Sequence, residues 1–164
     1  MDDFYYLAQI TTTIAGFAAL FSILKHSNKT WNDLAKVNLI RFYIMIELAC
    51  IITIFCFVPI VLSEYFEQEV TFRVSFGSHF LFSTIYYVFA LKRNKRITGL
   101  VNIAGTSTKI VRIFSIGVLI FAVFGALNFL GDHYKTNYLI SLILVFLINL
   151  YMFLRLIYFS MSRE

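Results

Sequence analysis

The sequence predicts an all-α fold: a single transmembrane domain over residues 1–164, a polytopic helical bundle of about five spans with its N-terminus outside and its C-terminus cytoplasmic. Three observations carry this expectation. Apolar residues make up 60% of the chain and the mean hydropathy is +0.80, where soluble domains are roughly half apolar. Charged residues amount to only 14% and gather in short clusters, whereas a soluble protein carries about a quarter. Between the clusters run apolar stretches of roughly 20 residues without strict alternation, which satisfy their own backbone in lipid as helices; barrel strands would be about 10 residues long and alternate.

The first span covers about 4–24. It follows an acidic start, Asp2 and Asp3, where a secretory signal would be basic, so it is expected to be retained. The second covers about 38–62, on a helix that starts near Trp31, where Thr30 and Asp33 stand three residues apart much as in a capping box. Pro59 is expected to bend its far end, because proline cannot donate to the Phe55 carbonyl. An acidic turn from Ser63 to Glu69 leads to a third span at about 72–91, which ends at the basic cluster Lys92, Arg93, Lys95, Arg96. That cluster opens a connection, Lys92 through Ile97 to Thr108, broken by Gly99 and Gly105, with Ser107 or Thr108 as cap of the fourth span, about 110–130. The fifth covers about 138–158.

Orientation follows from charge. Of 14 basic residues, only Arg73 and Lys135 fall on the side opposite to the rest, so the crowded side is expected to be cytoplasmic and the membrane a bacterial inner membrane. The formal charge of +5 therefore reads as topology signal and lipid contact, which excludes nucleic acid as a partner. The cysteines, Cys50 and Cys56, face different directions of one helix and cannot bridge.

Polar groups inside the spans are the candidate functional residues, because a charge at the bilayer centre costs about 2.5–3.5 kcal/mol on insertion scales and is retained only beside a partner or water. With the midplane near Ile14, Ile52, Leu81, Ile120 and Ile148, Glu47 lies about 7 Å, Arg155 about 10 Å and Arg112 about 12 Å toward the cytoplasm, at about 1.5 Å per residue. Glu47 is expected to pair with Arg155, with Arg112 as competitor, or to stay protonated while the arginines reach for headgroups. Thr12, Thr13, Thr53, His79, Ser83 and Asn149 lie nearer the midplane and suit interhelical hydrogen bonds, and His79 suits a proton relay if water reaches it. A lone histidine lacks the cluster a metal needs, no cofactor motif is present, and Glu47 has no second acid at its depth, so no enzyme is expected. Thr12, Gly16 and Ala19 form a small-residue face for helix packing, as do Gly117, Gly125 and Asn128.

Ile14-Ala15-Gly16-Phe17-Ala18-Ala19-Leu20, and then Arg41, Glu47 and Pro59 on the second helix, resemble a set of small uncharacterised bacterial multi-pass membrane proteins over the first 60 or so residues. The resemblance implies no function and singles out Gly16, Arg41, Glu47 and Pro59. Two functional expectations follow from the residues. One is an oligomeric pore-like or permeability-altering component, or small transporter subunit, with Glu47 and His79 facing a hydrated interior. The other is a non-conducting anchor or sensor whose Lys92, Arg93, Lys95 and Arg96 engage anionic lipid or a cytoplasmic protein.

Overall fold

The computed structural model describes the backbone of residues 1–26, 33–96, 105–127, 129, 131 and 133–161, and the side chains of 1–20, 42–93, 111, 113–127, 129, 131 and 133–158. Among the described residues there are five helices and no strand: α1 Asp2–His26, α2 Asp33–Leu62, α3 Gln68–Arg96, α4 Gly105–Ala126 and α5 Tyr134–Met161. Three contain stretches long and apolar enough to cross a membrane, Phe42–Leu62, Gln68–Arg93 and Tyr134–Tyr158, while α4 carries a shorter one, Ile113–Ala126.

The helices outrun the apolar stretches that announce them. α3 begins at Gln68 instead of about 72 and continues through the basic cluster to Arg96, because lysine and arginine are good helix formers and a helix need not stop where hydropathy does. Its start is fixed by the Thr71 amide donating to the Glu67 carbonyl at 2.9 Å, with acidic Glu69 in the first turn. α4 likewise begins at Gly105, inside the expected connection, and ends at Ala126 instead of about 130. There the Phe129 amide reaches back to the Phe124 carbonyl at 2.9 Å, a six-to-one closure, and Gly131 takes the left-handed conformation (φ 72°) that turns the chain toward α5. The expected cap at Thr30 and helix start near Trp31 lie outside the described residues.

α1, α3 and α5 run one way and α2 and α4 the other. α5 touches all four other helices; α1 packs chiefly on α2, and α3 chiefly on α4. The core gathers where α1, α3 and α5 begin: Phe4, Ile52, Phe55, Phe72, Phe76, Tyr138 and Leu142 are all buried there. Outward faces are apolar and inward ones partly polar, the reverse of a soluble bundle. On α3, Leu81, Ile85 and Phe89 are exposed at four-residue spacing, whereas Thr71, Ser75 and His79 are buried, as are Ser141 and Asn149 on α5. Short hydroxyls satisfy themselves on their own helix: Thr11 donates to the Leu7 carbonyl at 2.7 Å and Ser75 to that of Thr71 at 2.8 Å.

The buried face of α1 is Phe4, Ala8, Thr11 and Ala18, near seven-residue spacing, not the expected Thr12, Gly16, Ala19 face. A Cβ built on Gly16 meets nothing within 4 Å. Thr12 keeps one contact, its hydroxyl 3.4 Å from that of Thr53 on α2. Close approach occurs instead at Gly125 on α4, where a Cβ would lie 2.5 Å from the buried ring of Phe76.

Candidate functional site

Three polar residues stand seven apart on α3: His79, Tyr86 and Arg93. Seven residues are almost two full turns, so the three lie on one face. Arg93 extends along that face to α2, where its Nη1 and Nη2 donate to Oε1 and Oε2 of Glu47 at 2.7 and 2.8 Å. The Tyr86 hydroxyl adds a third donor, 2.9 Å from Oε2. A two-pronged guanidinium fork plus a phenol is the strongest geometry available to a carboxylate at this depth, because each charge is hydrogen-bonded as well as paired.

Arg93 thus takes the place that the depth estimate gave to Arg155. The estimate ended the third span at Leu91 and assigned Arg93 to a loop; the continuing helix instead carries it two turns beyond Tyr86, within reach of Glu47. Arg155 is half-buried near the C-terminal end of α5. The side chains of Arg112, Lys95 and Arg96 lie outside the described residues, and Lys92 is exposed.

One tier further along α3, His79 is fully buried. Its Nδ1 stands 3.3 Å from the Ser141 hydroxyl on α5, and its ring centroid is 5.0 Å from that of Phe55 and 6.3 Å from that of Tyr138. Its Nε2 has no hydrogen-bond partner among the described residues, nor has either amide atom of the equally buried Asn149.

Above His79 the face becomes aromatic. Phe72, Phe76 and Tyr138 pack with Phe4, centroids 5.1–6.2 Å apart. Tyr138 also resolves the defect that Pro59 creates. The Phe55 carbonyl has no helical donor because Pro59 lacks an N–H, and the Tyr138 hydroxyl donates to it at 2.9 Å in a fully buried setting. Tyr138 entered the sequence reading only at a span boundary; the signal that it matters was already present in the orphaned carbonyl four residues before Pro59.

The two basic residues opposite the crowded side each meet an acid at the aromatic end. Lys135 lies 2.7 Å from Asp3, and Arg73 lies 3.4 Å from Glu69 one turn back. The Lys135 ammonium, hydrogen-bonding and attracting the Asp3 carboxylate, holds its pKa below the ordinary 3.8.

The arrangement offers a carboxylate–guanidinium–phenol cluster between α2 and α3, a buried imidazole between α3 and α5, and a buried carboxamide on α5 without a partner among the described residues. No protein-family model, curated protein or solved structure matches the chain.

Proposed function

We propose that this is a five-span, non-enzymatic membrane protein, N-terminus outside and C-terminus cytoplasmic, that serves as a membrane-embedded anchor whose rigid basic end engages anionic lipid headgroups. The observation that carries the reading is the pinning of α3: the helix runs without a break from Gln68 to Arg96, and Glu47 grips it at Arg93. Lys92, Lys95 and Arg96 are then presented on a stiff helical extension, which loses less conformational entropy on binding phosphates than a free loop. Juxtamembrane cations of this kind contribute about 1 kcal/mol each at an anionic surface. The direct test places the protein in nanodiscs of mixed phosphatidylglycerol and phosphatidylcholine. Replacing Lys92, Lys95 and Arg96 together by Gln, with Arg93 untouched, lowers phosphatidylglycerol retention severalfold; unchanged retention sinks the reading, and selective capture of a cytoplasmic protein by the same residues points to a recruiting role instead.

The five-span arrangement is tested by cysteine substitution at Ser27, Glu67, Gly99 and Thr136 in a chain lacking Cys50 and Cys56. Labelling by an impermeant reagent alternates between sides along this series. Two successive positions labelled from one side overturn it.

A conducting role, as an oligomeric pore-like component or transporter subunit, is favoured by the unpartnered polar atoms of His79 and Asn149. Ion flux in liposomes that falls with Glu47→Gln selects it over the anchor; flux-silent liposomes remove it.

A further inference from the structure

We propose that two copies of this chain pair in the membrane through the outward face of α1, Gln9 of each copy hydrogen-bonding to Gln9 of the other across a two-fold axis. Midway along α3, α4 and α5 the exposed side chains are apolar, Leu81, Ile85, Ile116, Ile120 and Leu147 among them. α1 departs from this: Gln9, Thr12 and Thr13 are all exposed. The two hydroxyls are provided for, Thr12 and Thr13 donating to the Ala8 and Gln9 carbonyls at 2.8 Å. The Gln9 carboxamide has no hydrogen-bond partner among the described residues.

Its depth is fixed by α2. The Thr12 and Thr53 hydroxyls lie 3.4 Å apart, and Thr53 adjoins Ile52, the midpoint of the apolar stretch Phe42–Leu62. Gln9 precedes Thr12 by three residues, about 4.5 Å along the helix. It therefore lies about 10 Å inside the boundary of a hydrocarbon layer roughly 30 Å thick, farther than a glutamine side chain extends. An unpaired carboxamide is costly there, and such groups on membrane helices are satisfied across a helix interface. The rest of the chain does not supply one: α1 packs chiefly on α2, and its inward face is Phe4, Thr11 and Ala18.

A second copy is the occupant this chemistry fits. A carboxamide carries both donor and acceptor, so two of them set face to face satisfy each other. Copies inserted in one orientation hold Gln9 at the same depth, and a two-fold axis along the membrane normal places each against its twin. Seven residues on, the same face carries Gly16, where a Cβ would meet nothing within 4 Å, so the two backbones approach without collision. The pairing needs α1 beside lipid, as in the proposed function, but not the binding of anionic headgroups by the basic end.

The test is energy transfer between donor- and acceptor-labelled full chains in phosphatidylcholine vesicles as the protein is diluted with lipid. The dyes sit at Glu67→Cys in a chain lacking Cys50 and Cys56. Dimers form, and Gln9→Leu raises their dissociation constant about tenfold, as the loss of two reciprocal hydrogen bonds in a membrane requires. With no other cysteine present, Thr13→Cys cross-links on oxidation severalfold faster than Ile120→Cys on α4. Association unchanged by Gln9→Leu overturns the pairing, as does cross-linking at Ile120 equal to that at Thr13. An impermeant maleimide separates failure of the dimer from failure of the membrane placement. Thr13→Cys protected in vesicles that hold only monomers overturns the dimer alone, whereas its modification from the aqueous side overturns the dimer and the placement of α1 together.

Discussion

At the aromatic end, four rings from α1, α3 and α5 pack around a hydroxyl that serves a single carbonyl, and every one of them is at most 2% exposed. At the basic end, α3 meets α2 through long side chains, Arg93 and Tyr86 reaching to Glu47, and the two charged members are 38% and 36% exposed. Both ends tie α3 to its neighbours. They differ in what a single substitution removes: close-packed volume with no room to relax, or a partly solvated attraction. The first is expensive to disturb because close-packed volume cannot relax, while each contact of the second is worth less because it is partly solvated.

Phe76→Ala is expected to cause the largest loss, about 3–5 kcal/mol, because it empties a buried ring site facing α4 and Tyr138. Unfolding in mixed detergent micelles reads this. Gly125→Ala sharpens the point: alone it forces a Cβ against the Phe76 ring and costs about 1–3 kcal/mol, whereas in the Phe76→Ala background it costs close to nothing. Additive losses in that cycle would mean the two residues do not share one space.

Tyr138→Phe keeps the ring but leaves the Phe55 carbonyl without a donor in a buried site, for an expected loss of about 1–3 kcal/mol. Amide exchange should rise around Phe55 to Pro59 and not at Glu47. Next in size is the clamp. A double-mutant cycle of Glu47→Ala and Arg93→Ala should return a coupling of about 1 kcal/mol or less, given the exposure of both groups, and added salt should shrink it. A coupling larger than the Phe76→Ala loss breaks the contrast between the ends.

The smallest effect belongs to Asp3. Its folded pKa lies below the ordinary 3.8, so its contribution is fully present above that value and is lost as pH falls through the folded pKa. Asp3→Asn should remove this contribution at neutral pH, leave stability below the folded pKa unchanged, and so flatten the acid limb between them.

Much of the helical order was legible because hydropathy and charge report the solvent around each segment. The helix ends were not: at Arg96 and Gly105 hydrogen bonding continues past the point where apolar character stops. Glu47 was legible as an acid in need of a partner because any carboxylate amid apolar residues must be compensated. Its partner was not, since depth along a helix says nothing about the angle at which a neighbour faces, and Arg93 had been counted as loop. Gly16 shows the same limit: small-residue spacing marks a face where approach is feasible, and within one chain the buried face of α1 is that of Phe4 and Thr11.

By itself the sequence determined that this chain is helical, that its segments suit lipid better than water, and that Pro59 leaves the Phe55 carbonyl without a helical donor; all three follow from local chemistry along one strand of chain. Only the tertiary structure decided that Tyr138 supplies that donor, that Arg93 holds Glu47, and that Asn149 is buried without a hydrogen-bond partner among the described residues. Those outcomes depend on the rotation and register of helices far apart in sequence, which are set by the packing of whole faces and not by any single residue.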